Sequence, residues 1–183
     1  RIFSFNSPHG ACPVCQGLGK KLEIDPDLLI PNKMLTFNEG AIRAWSRNIN
    51  PNAWYYRIIE AVANRHNIDL DQPIEEMPKE HLDILLYGTG NELYHFGPYT
   101  TTYEGIIPNL TRRYHETDSD FIREELEKYM REVICPACQG KRLKNEVLGI
   151  LINKKNIAEV CALSIVEAKE FFENLKLSPT EEK

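Results

Sequence analysis

The sequence predicts an α+β protein in which a small mixed insertion domain is mounted on a split module of four cysteines, with a C-terminal strand–helix segment after it. Two observations indicate this arrangement. The matching stretches CPVCQG and CPACQG carry the cysteine pairs and lie far apart in the chain. Between them, helix-like and strand-like patterns follow one another, as in a domain with its own core. The predicted divisions are residues 1–24, 25–132 and 133–183.

The split module is predicted from the CPxC spacing. In a CxxC turn both sulfurs can point at one metal ion, and the glycine that follows permits the close turn. Two such turns that face each other supply the tetrahedral set of four thiolates typical of a structural Zn²⁺. The long segment between them is tolerable, because the entropy of loop closure grows only logarithmically with length. The expected ligands are Cys12, Cys15, Cys135 and Cys138.

Other fates of these cysteines stay open. Each pair could share a metal with cysteines outside this sequence, or act as a redox dithiol. His9 lies close enough to the first pair to be a rival ligand. Cys161, in the apolar stretch AEVCALS, is expected to be a buried small hydrophobic residue. Two paired motifs and an odd fifth cysteine favour a reducing cytoplasm over a secreted disulfide framework.

The insertion domain is expected to contain three helices and two strands. The stretch NPNAWYYRIIEAVANRHNI reads as a helix with Asn50 as its cap and Pro51 in its first turn. A second helix lies between Pro78 and Gly88, and TDSDFIREELEKYM forms a third, in which Thr117 has capping-box spacing to Asp120. ELYHF and YTTTYEGII favour strands. The first helix is expected to bury one face made of Trp54, Ile58, Ile59, Val62 and Ala63.

The C-terminal segment is expected to run strand, turn, strand and helix. EVLGILI favours a strand, NKKN a turn and IAEV a short strand-like stretch. SIVEAKEFFENL then reads as a helix in which Ser164 and Glu167 form a capping box. Its expected buried stripe is Ile165, Ala168, Phe171, Phe172 and Leu175.

Charge and motif content limit the range of functions. The net charge of −5 argues against a uniformly basic nucleic-acid-binding surface, although local patches remain. One such patch contains Arg112 and Arg113. Its alternative interpretation is a solvated surface in which these arginines form salt bridges with Glu116, Asp118 and Glu124. The chain has no GxxxxGK[ST], GxSxG or HExxH motif and no apolar run that suggests a membrane span. It is therefore not expected to be an enzyme by itself, and it looks like a piece of a longer protein. The candidate DNA-binding residues are Arg112, Arg113, Tyr114, Lys141, Arg142 and Lys144.

Several longer motifs carry a specific resemblance that covers nearly the whole chain. They are RIFSFNSPHGACPVCQGLG, DPDLLIP, GAIRAW, LDILLYGTG, EGIIPNLTRRY, ETDSDFIREELEKYM, CPACQGKRL and NIAEVCALSIVEAKEFFENL. This set resembles the UvrA family, the A subunits of the bacterial UvrABC excinuclease. The resemblance implies a part of a dimeric ABC-type ATPase that finds damaged DNA in nucleotide excision repair and loads UvrB. The resemblance also strengthens Arg112 and Arg113 as candidates for DNA contact, because they fall in the insertion domain.

The same resemblance implies which functions lie elsewhere. The ATP-binding motifs, the LSGGE signature segment and the domain that binds UvrB fall outside this sequence. The implied partners are double-stranded DNA, in particular damaged DNA, the rest of the UvrA chain and its dimer mate, and the implied cofactor is a structural Zn²⁺. Two other hypotheses differ in class. One is a peptide-binding chaperone module, because CPVCQGLG fits the CxxCxGxG repeat of DnaJ-type chaperones, and the other is a thiol redox enzyme.

Overall fold

The computed structural model describes residues 1–48 and 53–177, and these residues divide into two compact units. One unit comprises residues 1–21 with residues 132–177 and is called the cysteine unit below. The other comprises residues 22–131 and is called the insert. The sequence places the corresponding divisions after residues 24 and 132. In the described ranges, no helix combines the length and the apolar character needed to cross a membrane.

Short helices and two small two-stranded sheets make up both units, as the α+β prediction requires. β1 pairs with β4, and β2 pairs with β3 in an antiparallel hairpin. A 3₁₀ segment covers Arg43–Asn48. The elements in chain order are β1 (Lys20–Ile24), α1 (Pro26–Leu29), α2 (Trp54–His66), α3 (Lys79–Tyr87), β2 (Leu93–Phe96), β3 (Tyr99–Thr102), α4 (Ile106–Glu116), α5 (Asp120–Glu127), β4 (Met130–Ile134), α6 (Asn145–Leu148), α7 (Ile157–Cys161) and α8 (Ile165–Glu173).

Helix α2 supplies a large part of the core of the insert. Its predicted buried face is confirmed at four of five positions, because Ile58, Ile59, Val62 and Ala63 are buried. Trp54 was expected on the same face, but it opens the helix and its side chain is 45% exposed. The expected cap Asn50 and Pro51 lie outside the described residues.

The junction between α3 and α4 depends on two glycines. Helix α3 begins after Pro78 and ends at Gly88, as the sequence predicts. Gly105 then precedes α4 with a φ of +92°. A Cβ atom on Gly105 would lie 2.4 Å from the carbonyl carbon of Tyr87, and one on Gly88 would lie 2.5 Å from the carbonyl carbon of Glu104. The two backbones therefore touch at this point, and only glycine permits the contact.

Two predictions in this part of the insert are wrong. The strand expected over YTTTYEGII ends at Thr102, and Ile106 begins the unpredicted helix α4. The positive φ of Gly105 breaks the strand, and Pro108 is tolerated because a first-turn N–H needs no helical partner. In α5 the cap is Ser119, whose hydroxyl accepts from the N–H of Ile122 at 3.4 Å, rather than Thr117.

The cysteine unit has more helix than the sequence predicts. EVLGILI contains helix α6 instead of a strand, and IAEV forms the start of α7. In α7 a capping box between Asn156 and Glu159 outweighs the strand preference of the β-branched residues. The predicted turn at NKKN is confirmed, since Ile152 and Lys155 pair across it. The capping box of Ser164 and Glu167 at the start of α8 is also confirmed.

The burial predicted for the C-terminal residues is wrong. Helix α8 has no buried residue, and Ile165 is 90% exposed. Cys161, expected to be buried, is also exposed. Phe171 and Phe172 of α8 instead help to line an open groove of about 290 Å³ together with Phe3 and Ile150. Helical periodicity identifies the apolar face of a helix but does not say whether another element covers it.

Candidate metal centre and nucleic-acid interface

Four buried thiols form one cluster in the cysteine unit. The sulfurs of Cys12, Cys15, Cys135 and Cys138 all lie within 4.8 Å of one another. The Cys12 and Cys135 sulfurs are 4.0 Å apart, and those of Cys15 and Cys138 are 3.7 Å apart. A tetrahedral ion with sulfur bonds of about 2.3 Å needs edges of about 3.8 Å. These distances are far longer than the roughly 2.05 Å of a disulfide. The cluster is therefore positioned to bind a metal ion, and exposed His9 does not belong to it.

The two cysteine turns repeat the same backbone conformation. Gln16 and Gln139 both have a φ of 50°, and the glycines that follow them have φ values of 83° and 81°. Two residues later the left-handed conformation recurs, at Gly19 with 80° and at Arg142 with 69°. This series curls each turn around its second cysteine, so that the N–H of Gly19 donates to the Cys15 sulfur at 3.2 Å. The N–H of Arg142 donates to Cys138 in the same way.

Reciprocal hydrogen bonds hold the two turns together. The N–H of Cys12 donates to the carbonyl of Arg142, and the N–H of Cys135 donates to the carbonyl of Gly19, both at 2.9 Å. The Arg142 side chain adds a third link, because its Nε donates to the carbonyl of Gly17 at 2.7 Å. These bonds preorganise the four sulfurs, so the metal does not have to assemble the site alone.

The environment of the sulfurs favours thiolate formation at one position. Burial raises the pKa of Cys15, but the N–H groups of Gly19 and Gly17 and the thiol of Cys138 outweigh it and bring the pKa down to about 7. Burial raises the pKa of the Cys138 thiol to about 11. Metal binding requires thiolates, so an ion that enters would release protons from the remaining thiols.

In the insert, the basic residues singled out from the sequence lie on α4. The Arg112 guanidinium donates to both oxygens of Glu104, at 2.9 and 3.3 Å, and to Glu116 at 2.9 Å. The hydrogen bond from Arg112 holds the pKa of Glu104 at about 2. The Tyr114 hydroxyl donates to Glu127 at 2.9 Å. Arg113 is exposed, and no ion pair to it is seen in the part of the chain that the structure describes.

In the cysteine unit, two of the three basic candidates have structural roles. Arg142 lies over the ring of Phe5, with 3.5 Å between the guanidinium carbon and the ring centroid. Lys144 donates through Nζ to the carbonyl of Pro8 at 2.8 Å. Lys141 is exposed, and among the described residues no carboxylate pairs with it. Basic residues outnumber acidic ones in residues 1–21 and 132–183, whereas acidic residues outnumber basic ones in residues 22–131.

The comparisons with known proteins agree on one family. Residues 25–128 match the family model of the UvrA DNA-binding domain. The chain belongs to the UvrA family. The UvrABC system protein A of Halalkalibacterium halodurans is 48% identical over 97% of this chain, and that of Bacillus subtilis is 44% identical over the same share. The chain covers 19% of each of these proteins, so it spans about a fifth of the length of the curated relatives it matches.

A solved structure of a UvrA relative has a similar fold. The crystal structure of UvrA2 from Deinococcus radiodurans superposes with a TM-score of 0.67 and 27% sequence identity. The match covers 94% of this chain and 23% of that one.

One polar cluster in this UvrA chain was not predicted from the sequence. Glu104 Oε1 accepts hydrogen bonds from the Tyr55 hydroxyl at 2.9 Å, from Asn109 at 2.7 Å and from Arg112. Burial, followed by the contact with Glu104, raises the pKa of Tyr55. The cluster borders a cavity of about 260 Å³. No short motif joins these residues, so local pattern reading could not have found it.

Proposed function

We propose that this chain is a DNA-binding module of a UvrA-type nucleotide excision repair ATPase, and that it holds one structural Zn²⁺. The observation that carries the proposal is the match of residues 25–128 to the UvrA DNA-binding domain, which covers nearly all of the insert. ATP binding, UvrB binding and the dimer mate belong, on this proposal, to the rest of a longer cytoplasmic protein.

The metal part of the proposal depends on the donor set. Soft thiolates in a tetrahedral arrangement select Zn²⁺ over hard cations such as Mg²⁺ and Ca²⁺. Four sulfur ligands leave no coordination position for water, so the ion would fix the two cysteine turns and supply no catalytic chemistry. The ligands would be Cys12, Cys15, Cys135 and Cys138.

The DNA part of the proposal concerns backbone contacts that carry no sequence preference. Of the basic candidates, Arg113 and Lys141 are exposed and lack a carboxylate partner among the described residues, so they are the side chains best able to bind phosphate. Arg112 is already neutralised by two carboxylates, and Arg142 and Lys144 are bound to carbonyl oxygens. For these three residues and Tyr114 we propose a role in supporting the structure rather than a direct phosphate contact.

Salt-dependent DNA binding tests this assignment. The affinity of the 183-residue chain for a duplex is measured by fluorescence anisotropy over a range of salt concentrations, together with Arg113→Gln and Lys141→Gln. Each phosphate contact that is lost should reduce the slope of log K against log salt by about 0.9. Lys79→Gln, another exposed lysine, is the matched control and should leave the slope unchanged. Unchanged slopes in both variants reject these residues, and no duplex binding by the unmodified chain rejects the function.

The two alternative functions give different results. A DnaJ-like chaperone module would bind unfolded polypeptide and not DNA. A thiol redox enzyme would carry a reducible dithiol and no metal, whereas the structural site predicts about one Zn²⁺ per chain by elemental analysis.

A further inference from the structure

An aromatic surface on the insert has no role in the function proposed so far. It comprises Trp54 at the start of α2, Phe96 and Tyr99 on the β2–β3 hairpin, and Arg57; we call it the aromatic platform. The Trp54 and Tyr99 rings each lie 5.7 Å from the Phe96 ring, centroid to centroid. The guanidinium carbon of Arg57 is 5.8 Å from the same ring. Phe96 is buried, whereas Trp54 is 45% exposed and Tyr99 50% exposed.

The platform is built on a tight hairpin. Phe96 and Tyr99 are directly opposite in the register of β2 and β3, so only Gly97 and Pro98 connect the strands. Gly97 has a φ of +57°, and a Cβ there would lie 3.0 Å from a terminal nitrogen of Arg57. The glycine therefore permits both the turn and the close approach of the guanidinium. Rings held by a two-residue turn and a helix start lose little conformational entropy when they bind a partner.

Isolated exposed hydrophobic residues are normal on protein surfaces, but the aromatic platform is a cluster of several residues. Two half-exposed rings converge on a shared buried ring, with a cation beside them. Arg57 contacts an aromatic ring, and in the described ranges no carboxylate is paired with it. This distinguishes Arg57 from Arg112, whose charge is taken up by Glu104 and Glu116.

Exposed aromatic rings with an adjacent guanidinium suit a ligand that combines a flat ring with a negative charge. Nucleic acid has this combination, because bases stack on aromatic side chains while the phosphate contacts the cation. In an intact duplex the base faces are covered by their neighbours and only their edges are accessible in the grooves. An aromatic side chain can therefore stack only where the helix is distorted and a base face is free.

We infer that the aromatic platform binds an unstacked nucleobase in distorted DNA, with Trp54 and Tyr99 as stacking residues and Arg57 on the adjacent phosphate. The inference rests on the proposed DNA-binding function and adds a contact to it. It also gives the acidic insert a way to contact DNA that depends on ring surface more than on net positive charge. Residues 25–128, which match the UvrA DNA-binding domain, include the whole platform.

The test compares two duplexes that differ in whether one base is paired. One carries a single unpaired 2-aminopurine as a bulge, and the other carries the same base paired. The 183-residue chain should bind the bulged duplex more tightly and quench its 2-aminopurine fluorescence. Trp54→Ala and Tyr99→Ala should each weaken binding to the bulge by about fivefold to a hundredfold, with little change for the paired duplex. Trp54→Phe should retain part of the preference.

Tyr87→Ala is the matched control, since Tyr87 is a 52% exposed aromatic residue of the insert outside the platform. Trp45 is 3% exposed, so Trp54 fluorescence can be followed as the accessible signal, and it should be quenched by the bulged duplex. If the chain binds both duplexes but the platform variants lose no preference, the inference is wrong and the proposed function stands. If the chain binds neither duplex, the proposed function fails and the inference falls with it.

Discussion

The guanidinium of Arg142 stacks on the ring of Phe5 and at the same time donates a hydrogen bond to the carbonyl of Gly17. Arg142 occupies the left-handed position that glycine fills in the first cysteine turn, with a φ of 69°. A non-glycine residue in this region is strained. The side-chain contacts offset that strain, so Arg142 connects the second turn to residues near the first.

Substitution of Arg142 should separate backbone strain from side-chain contacts. Arg142→Ala keeps the strain and removes the contacts, so it should destabilise the cysteine unit by about 1–3 kcal/mol. Arg142→Gly removes both and should be less harmful. Thermal unfolding of the metal-loaded chain measures the difference. Equal stability of the alanine variant and the unmodified chain would show that the stacking contributes nothing.

Loss of any one cluster thiol should release the metal. Replacement of Cys12, Cys15, Cys135 or Cys138 by Ser leaves three sulfur ligands and breaks a closed site, so metal content should fall from about one ion per chain towards zero. Cys161→Ser is the matched control, because Cys161 is exposed and outside the cluster. Elemental analysis after dialysis gives the readout. Retention of a full equivalent by the cluster variants would contradict the site.

The ion pair between Glu104 and Arg112 should make the stability of the insert depend on pH. The pKa of Glu104 in the folded chain is about 2, against an ordinary value of 4.5. A lowered pKa means that the contribution is complete above pH 4.5 and is lost as the pH falls from 4.5 towards 2. Because Glu104 is 36% exposed, solvent screening reduces the effect to about 1 kcal/mol. Glu104→Gln should lower Tm at pH 7 and flatten its decline in this window.

The contact between Gly88 and Gly105 should be intolerant of any side chain. Gly105→Ala would place a methyl group 2.4 Å from backbone and force the α3–α4 junction apart, so a loss of more than about 3 kcal/mol is expected. Gly90→Ala provides the comparison, since Gly90 also has a positive φ but nothing lies within 4 Å of its Cβ position. That variant should cost only about 1 kcal/mol. Similar denaturant midpoints for the two variants would contradict the proposed contact.

Sequence patterns predicted the features that depend on neighbouring residues. The buried face of α2, the limits of α3 and the capping box of Ser164 follow from spacings of a few residues. Helix α4 was missed because Ile106 and Ile107 favour strands on their own, while the glycine before them and the contacts of Ile106 and Leu110 with the core decide otherwise.

In the candidate site, too, sequence patterns identify some residues and not others. The four cysteines were recognised because ligand spacing is a chemical constraint visible in the sequence. The structural role of Arg142 was not, because its partner Phe5 is distant in sequence and no motif joins the two. The aromatic platform was hidden for the same reason, since a helix start and a hairpin contribute to it.

Within each unit, the two ends of the connecting chain lie side by side. In the cysteine unit Gly19 accepts a hydrogen bond from Cys135, and Lys20 pairs with Glu132. In the insert the N–H of Asp25 donates to the carbonyl of Tyr129. Because the insert begins and ends at neighbouring positions, we expect that it can be exchanged for a longer, shorter or unrelated segment while the cysteine unit keeps its geometry. A chimaera in which an Asn-Gly reverse turn replaces residues 25–128 should therefore still fold, and elemental analysis should find that it still binds a metal ion at the four cysteines.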